Sequence, residues 1–230
     1  MEILSVTRSA FQYLKDKIIT GELPAGQKLN ENQLSSLLEI SRPPLREAFR
    51  LLEHEYLVVN IPRKGTYVTN ISREDFRQVY QARKMIECYA IDLLKAKNIR
   101  DLPQVAAALT QTTDLSLPSN AAPEEKLSYL MAFANFHIRL VESAGNSRLT
   151  HFYQAISSNL ARYEFMYVFI PGLTRNSQEN HQQIMELIRM GAYDQAKEDL
   201  STHINNFVNL LETKIGEERI NGQPVSASDP

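Results

Sequence analysis

The stretch SRPPLREAFRLLEHEYLVVNIPRKGTYV, residues 41–68, decides how the N-terminal part of the chain folds. In its first half, apolar side chains recur at the i, i+3, i+4 and i+7 spacing of a helix with one buried face. These side chains are Leu45, Ala48, Phe49 and Leu52. In its second half, β-branched and aromatic residues lie on both sides of Pro62–Gly65, where the glycine can close a tight hairpin turn. A short helix that runs directly into a small hairpin is typical of a winged helix-turn-helix.

The residues before this stretch predict the two helices that complete such a domain. Gly21 is expected to end the first helix, and the Asn30 side chain can cap the second. A turn of about three residues, Glu39–Ser41, then leads into the third helix, as a helix-turn-helix requires. For this domain, residues 1–70, the expected elements are helices at Ser5–Thr20, from Asn30 and at Pro43–Glu55, and strands at Leu57–Ile61 and Thr66–Thr69.

Beyond Asn70 the sequence pattern changes to helices alone. The breaks between these helices contain proline or glycine, which end or reverse a helix. Helices without strands predict an all-α antiparallel bundle for residues 71–215, so the expected fold class is mainly α. The polar segment 216–230 is expected to be a disordered tail. The expected helices are Glu74–Lys97, Leu102–Thr113, Glu124–Ser143, Ser147–Phe169, Ser177–Met190 and Tyr193–Ile215.

The bulk composition limits the classes of protein to which the chain can belong. Lys and Arg number 25 against 27 Asp and Glu, a net charge of −2, so no global field attracts polyanions. Affinity for phosphates must then come from the local placement of arginine and lysine. The single cysteine, Cys88, excludes an internal disulfide and a cysteine-based zinc cluster. No apolar run is long enough for a membrane span and no secretory leader is recognised, so we expect a cytoplasmic protein without membrane contact.

Arginines are placed on the third helix as a protein that docks on DNA would need them. Arg42, Arg46 and Arg50 are spaced by four residues and fall on a different face from the apolar side chains. Guanidinium groups form bidentate bonds to guanine edges and charge-assisted bonds to phosphate, and a helix N-terminus adds its free amides. Lys64 and Gly65 lie at the hairpin tip, where a small residue lets the backbone approach closely. A stripe of arginines alone could be a solvated face, but with the turn and the hairpin it predicts DNA binding.

Three histidines in the helical part could share one site. His181 and His203 each lie eleven residues from Ala192, at the turn between two helices. They therefore fall at the same level of an antiparallel helix pair. His137 lies on another helix. Three imidazoles with open coordination positions suit zinc or a similar ion, although each histidine alone is more typical of a hydrogen-bonded helix residue.

Two arginines in the helical part are candidates for binding an anionic ligand. Arg83 lies on a helix among positions that the periodicity predicts to be buried, and a buried guanidinium needs a partner. That partner is either Glu87, one turn further on, or an anionic ligand. Arg162, beside Tyr163, is the second candidate for binding a carboxylate, with a surface salt bridge as the alternative.

Residues Phe11–Val68 resemble the N-terminal domain of GntR-family bacterial transcription regulators. The residues that carry the resemblance are Gly21–Leu29, Glu31, Leu34, Ser41, Arg42, Pro44, Arg46–Ala48, Leu52 and Gly65–Val68. The resemblance implies that Arg42 and Arg46 contact bases or phosphates and that the hairpin tip enters the minor groove. Two positions depart from the family, since Pro43 replaces a frequent hydroxyl residue and Asn32 stands where some members have arginine. The expected DNA-contacting residues are Asn32, Ser41, Arg42, Pro43, Arg46, Arg50, Lys64 and Gly65.

Residues Ser72–Ile215 resemble the FCD-type effector domain of the FadR branch of this family. The matching residues are Arg83, Glu87, Phe136, His137, Ala144–Asn146, His181, Ile184, His203 and Ile204. The resemblance implies a divalent metal, such as Zn or Ni, bound by His137, His181 and His203 beside a small carboxylate effector. The acidic metal ligand of the family usually lies one turn before the first histidine. Phe133 replaces it here, and a phenyl ring cannot bind a metal.

Three classes of function remain, and they differ in the task of the helical part. The first is a homodimeric transcription regulator whose binding to operator DNA is controlled by a small organic-acid effector. The second is a constitutive dimeric DNA-binding regulator, which the presence of Phe133 favours. The third is a metal-dependent helical-bundle enzyme. The Glu-x-x-His, HExxH, Gly-rich phosphate-loop and Gly-x-Ser-x-Gly motifs are absent from the sequence, so we expect the chain not to be an enzyme.

Overall fold

The computed structural model describes residues 2–113, 115–118, 120–166 and 173–220, and all their side chains except those of residues 2–4, 173–175 and 213–220. The N-terminal elements are α1 (Glu2–Ile19), β1 (Lys28–Leu29), α2 (Glu31–Leu37), α3 (Arg42–His54), β2 (Val58–Ile61) and β3 (Gly65–Val68). The C-terminal elements are α4 (Arg73–Ala96), α5 (Pro103–Thr112), α6 (Pro123–Ser143), α7 (Ser147–Phe165), α8 (Leu173–Met190) and α9 (Tyr193–Ile220). The predicted fold class, a winged helix-turn-helix followed by an all-helical region, is confirmed.

A small antiparallel sheet completes the N-terminal domain, and its strand order within the described residues is β1-β3-β2. The predicted hairpin is present and pairs Ile61 with Gly65 next to the turn. Strand β1 was not predicted, because two residues are too few to show any periodicity. It pairs Lys28 with Tyr67 and Leu29 with Thr66. This pairing ties the loop after α1 to the hairpin.

The core of the N-terminal domain consists of the apolar faces that the periodicity predicted. Leu14 and Ile18 of α1, Leu45 and Leu52 of α3, and Leu57 before β2 are at most 1% exposed. Burying such side chains contributes about 1.5–3 kcal/mol each relative to leaving them exposed. The burial fixes the rotation of α3 about its own axis, so its opposite face is turned to solvent.

Three helix ends in the C-terminal region differ by four or five residues from the predicted ones, and the other differences are of one residue. α7 ends at Phe165 rather than Phe169, and residues 167–169 lie outside the described residues. α8 begins at Leu173, four residues before its predicted start. α9 continues to Ile220, five residues beyond its predicted end at Ile215, and so includes residues 216–220 of the predicted tail. Apart from one glycine, these residues form helices well enough to extend α9. Residues 221–230 lie outside the described residues.

The C-terminal helices enclose one large apolar core. Phe76 and Tyr80 of α4 and Phe136 of α6 are among its largest side chains, and each is at most 2% exposed. Gly191, at φ +80°, reverses the chain between α8 and α9, a backbone conformation that glycine adopts without steric cost. The helices on both sides of this turn therefore run next to each other. Within the described residues, no helix combines the length and apolar character that crossing a bilayer requires.

Candidate functional site

The arginine face of α3 lies on the surface, as the sequence predicts. Arg42 is exposed, and the side chains of Arg46 and Arg50 are 61% and 76% exposed. Arg46 Nε lies 3.0 Å from a carboxylate oxygen of Glu31, and Arg50 Nη1 lies 3.1 Å from one of Glu47. Ion pairs as exposed as these are worth about 0–1 kcal/mol. The guanidinium groups can therefore leave their carboxylates for a phosphate or a base.

The N-terminus of α3 offers fewer free amides than the sequence analysis assumed. Ser41 occupies the N-cap position without a side-chain cap, and Pro43 and Pro44 lie in the first turn. Of the four amides that an N-terminus leaves unpaired, proline removes two here, because it has no N–H. This end therefore offers a phosphate only the backbone amides of Ser41 and Arg42 and the nearby side chains.

The hairpin tip is exposed, and its backbone conformation is unusual. Arg63 lies at φ +64° and Gly65 at φ +109°, while the Lys64 amide donates to the Ile61 carbonyl at 3.0 Å. The side chains of Arg63 and Lys64 are both exposed. Arg63 was missing from the predicted DNA contacts, although it stands in the hairpin turn of the opening stretch. The remaining predicted contact on α2, Asn32, is also exposed.

The structure brings the three predicted histidines together inside the helical region. One ring nitrogen from each of His137, His181 and His203 lies within 4.8 Å of the others. The Nε2 atoms of His181 and His203 are 3.2 Å apart. Two nitrogens bound to a tetrahedral zinc at 2.1 Å lie about 3.4 Å apart, so this spacing suits a metal ion. Phe136 stacks on the His181 ring with centroids 4.0 Å apart and fixes its orientation.

The electrostatics of the cluster favour neutral imidazoles, the form that binds metals. Burial lowers the pKa of His137 and of His181 well below the usual value, and it lowers the pKa of His203 to about 4. Glu87, which is fully buried, accepts a hydrogen bond from His137 Nδ1 at 2.7 Å. Such a carboxylate directs the other ring nitrogen towards the cluster and raises its basicity. The donor set therefore fits a divalent ion, although Phe133 removes the anionic ligand.

Arg83 lies beside the histidines in a buried network of charges. Its Nε donates to Glu87 at 2.8 Å, the partner that the sequence offered as an alternative to a ligand. Its Nη1 donates at 2.6 Å to Glu164 on α7, a contact that sequence reasoning missed. Tyr80 and Tyr153 donate to Glu164 and Glu87 at 3.3 and 3.1 Å. Each carboxylate thus has several donors, as buried charges require.

A small cavity opens between these groups. The histidine cluster, Arg83, Glu164 and Ser177 line its polar part, and the unfilled space amounts to about 60 Å³. Its apolar lining consists of Leu130, Phe133, Ala134, Ile204 and Phe207. Phe133 therefore stands in the wall of the cavity, where the resemblance expected a carboxylate.

Arg162, the second arginine predicted to bind the effector, is not among the residues that line this cavity. Its guanidinium donates to Thr69 Oγ1 at 3.0 Å and to the Thr69 carbonyl at 2.9 Å. The side chain projects from α7 towards the end of the winged domain and is only 4% exposed. Arg162 lies where the two domains meet. No local pattern in the sequence around Arg162 reveals that Thr69 is its neighbour.

Helix α7 consequently contacts both the winged domain and the cavity. Ahead of Arg162, Asn159 donates to the Glu55 carbonyl at 2.7 Å, and Ser158 donates to the Glu55 carboxylate. Two residues after Arg162, Glu164 binds Arg83 in the cavity wall. A change at either end of this short stretch acts on one rigid helix.

Comparison with known protein families agrees with this arrangement. The FCD domain matches residues 78–206, and the gntR family of bacterial regulatory proteins matches residues 6–68. The chain belongs to the gntR family of regulators with an FCD domain. Both matches lie within the two structural regions described above. The recognition made from the sequence is confirmed at the level of these two families.

Several relatives of this gntR-family chain are similar over much of its length. YdhC, an uncharacterised HTH-type transcriptional regulator of Bacillus subtilis (strain 168), is 22% identical over 196 residues, 85% of this chain and 86% of the relative. The gluconate operon transcriptional repressor of Bacillus licheniformis is 25% identical over 134 residues, 58% of this chain and 53% of the relative. The solved structure of E. coli McbR/YncC has a TM-score of 0.70 at 17% identity and covers 91% of this chain and 98% of its own. The structural likeness extends to the fold alone.

These comparisons also decide between enzyme and regulator. The family matched by the N-terminal domain and the relatives named above are regulators of transcription. The chain is a transcription regulator of the DNA-binding gntR type, and the prediction that it is not an enzyme is confirmed.

Proposed function

We propose that this protein binds operator DNA as a homodimer and that a small carboxylate effector in the FCD cavity controls this binding. The observation that carries the proposal is helix α7. Within eight residues, Ser158–Phe165, it contacts the winged domain through Arg162 and Asn159 and the cavity through Glu164. A ligand that changes the partners of Glu164 therefore acts on the helix that holds the DNA-binding domain.

Operator recognition is assigned to the exposed face of α3 and to the hairpin tip. Arg42 and Arg46 would contact bases or phosphates in the major groove, and Arg50 lies further along the same face. Lys64 and Gly65 would follow the minor groove, with Arg63 as an additional contact. Asn32, Ser41 and Pro43 complete the proposed interface at the turn between α2 and α3.

The proposed assembly is a homodimer of the FadR branch. Two copies of α3 would read two half-sites about one helical turn, 34–36 Å, apart. Several relatives carry the word repressor in their names, among them the gluconate operon protein. By that likeness we assign this chain the role of a repressor, which blocks transcription when its operator overlaps a promoter.

His137, His181 and His203 are the residues that would hold a divalent metal such as Zn or Ni. When bound, such an ion supplies positive charge and open coordination positions for a carboxylate oxygen. Glu87 orients His137 and balances Arg83, which stays charged in the cavity wall. Arg83 would bind the carboxylate of the effector through charge-assisted hydrogen bonds.

We assign the control of DNA binding to the contacts at the two ends of residues Ser158–Phe165 of α7. An effector carboxylate on Arg83 competes with Glu164, which now accepts from that guanidinium at 2.6 Å. Loss of this bond changes the position of α7 relative to α4. The bonds from Arg162 to Thr69 transmit that change to the end of the winged domain. The effector then changes operator affinity because it binds more tightly to the arrangement of α7 without the bond from Arg83 to Glu164 than to the arrangement with it.

The second candidate function is a constitutive dimeric regulator in which the helical domain serves dimerisation only. Phe133 is the observation that favours it, since the metal site lacks its anionic ligand. In that case Arg83 is satisfied permanently by Glu87 and Glu164 and has a structural role only.

A DNA-binding titration tests the proposed function. Fluorescence anisotropy would compare duplexes that flank the coding region of the chain with a random duplex of equal length. We expect tighter binding to one flanking duplex and an affinity that falls steeply with salt, roughly 10³-fold or more between 50 and 200 mM for six or more phosphate contacts. The proposal fails if no natural duplex is preferred over random DNA. Constant operator affinity across added zinc, nickel and small acids would instead support the constitutive regulator.

A further inference from the structure

We infer that Lys28 is a further DNA-contacting residue, whose ammonium group donates to a phosphate at the border of the minor groove. This inference rests on the proposed function, since it adds a contact to the DNA interface assigned there. Lys28 is absent from the contacts that the sequence predicts, because only the pairing of β1 with β3 brings it to the hairpin.

Strand β1 places Lys28 beside the hairpin turn. Its backbone pairs with Tyr67 of β3, two residues along the strand from Gly65. The side chain extends from there towards the turn, since a Cβ atom at position 65 would lie 3.3 Å from Lys28 Cε and 3.9 Å from its Nζ. Nζ also lies 5.8 Å from the centroid of the Tyr67 ring, which attracts the cation. The ammonium group therefore lies next to the turn, in space that glycine leaves open.

Three cations at the hairpin have no carboxylate that neutralises them. All three are exposed, and we call them the wing patch: Lys28, Arg63 and Lys64. None of them forms an ion pair with another residue that the structure describes. By contrast, two arginines of α3 pair with carboxylates at 3.0 and 3.1 Å. A phosphate can therefore bind the wing patch without first displacing an internal partner, and it relieves the repulsion between the like charges there.

The position of Lys28 predicts a contact to phosphate and not to a base. The turn Pro62–Gly65 is the part of the hairpin that can enter the minor groove, which is only about 6 Å wide. β1 lies next to β3, and adjacent strands are about 4.8 Å apart, so Lys28 belongs to the side of the hairpin and not to its end. From there its flexible side chain reaches the phosphates that border the groove as a compact point charge. Such a contact holds the hairpin on DNA without reading the sequence.

Anisotropy titrations of the full chain with Lys28→Gln test this inference. The preferred flanking duplex and the random duplex are both titrated at several salt concentrations. Loss of one phosphate contact should make the slope of log K against log salt less steep by about 0.9, and affinity at 0.1 M salt should fall roughly 8-fold for both duplexes. The preference for the flanking duplex should stay the same, because a phosphate contact carries no sequence information.

Two control variants separate a DNA contact from an effect of total charge or of the fold. Lys28→Arg keeps the positive charge and should keep the salt slope. Lys95→Gln removes one positive charge from the helical domain, where the side chain of Lys95 is 49% exposed and pairs with Asp194 at 2.7 Å. It should leave the slope unchanged. Thermal melts followed by circular dichroism should coincide for Lys28→Gln and the unaltered chain, because Lys28 is exposed.

Neutral phosphate analogues locate the contacted phosphate. In the preferred flanking duplex, each phosphate that borders the minor groove is replaced in turn by a methylphosphonate. At one of these positions the unaltered protein should lose roughly 8-fold in affinity. Lys28→Gln should lose less than about twofold at the same position, because the contact is already missing from that variant.

An unchanged salt slope for Lys28→Gln would overturn the inference. An equal change of slope in Lys95→Gln would also overturn it, since total charge would then explain the effect. A change in the preference between the two duplexes without a change of slope would exclude a phosphate contact as well. The proposed function fails separately: if no natural duplex is preferred but Lys28→Gln lowers the slope on random DNA, the contact by Lys28 stands and operator recognition does not. If an operator is preferred and the slope stays the same, the reverse holds.

Discussion

Replacing Arg162 by alanine removes the hydrogen bonds that join α7 to the end of the winged domain. The guanidinium donates to the side chain and the carbonyl of Thr69 at 3.0 and 2.9 Å, and the residue is 4% exposed. Hydrogen bonds from a charged donor contribute about 1.5–3 kcal/mol each. The loss is partly offset, because the variant no longer buries a charge whose desolvation costs free energy. We expect the free energy of unfolding to fall by about 2–3 kcal/mol, a factor of roughly 30–150 in the unfolding equilibrium.

Urea denaturation followed by circular dichroism measures this effect, and the midpoint should fall by about 1 M. Hydrogen exchange locates the destabilised region, since amides near Thr69 should lose protection before those in the core of the helical region. Arg189→Ala is the matched control, because Arg189 is 61% exposed and pairs with Glu186 at 3.4 Å on the surface. A surface pair of this kind contributes about 0–1 kcal/mol. If Arg162→Ala destabilises the protein no more than Arg189→Ala, the domain link that we assign to α7 is wrong.

Three further predictions concern the metal cluster and the DNA-binding face. Because the folded-state pKa of His203 is about 4 and its unfolded value is 6.5, protons favour the unfolded chain below pH 6.5. Urea titrations of chelator-treated protein should show stability falling by about 1.4 kcal/mol per pH unit for this residue as pH drops towards 4, and a flat profile would contradict its lowered pKa. Phe133→Asp should restore an anionic ligand and raise zinc affinity by roughly 100-fold in a chelator competition, whereas Met131→Asp should not change it. Glu31→Gln should raise operator affinity, because Arg46 loses the carboxylate that lies 3.0 Å away. Arg46→Ala should lower operator affinity by roughly 10-fold or more in anisotropy titrations. Equal affinity of the two variants for the operator would exclude a DNA contact by Arg46.

The fold class and the arginine face were predictable because they depend on local patterns. Leu45, Ala48 and Phe49 are buried and Arg42 and Arg46 exposed, as a helix with one apolar stripe requires. The level pairing of two histidines across a glycine turn was likewise visible, since it depends only on counting residues along two antiparallel helices. Short elements and helix ends carry too little periodicity, so β1 and the extension of α9 were missed.

The sequence by itself determined that the chain has a winged helix-turn-helix, a helical domain and histidines able to share one centre, because residue spacing alone places side chains on helix faces. Only the tertiary structure decided the partners of the buried charges. Glu164 meets Arg83 across a separation of 81 residues, and Arg162 meets Thr69 across 93. No pattern along the chain encodes such pairs, because they exist only once α4, α7 and the winged domain have packed together and excluded water from the charges between them.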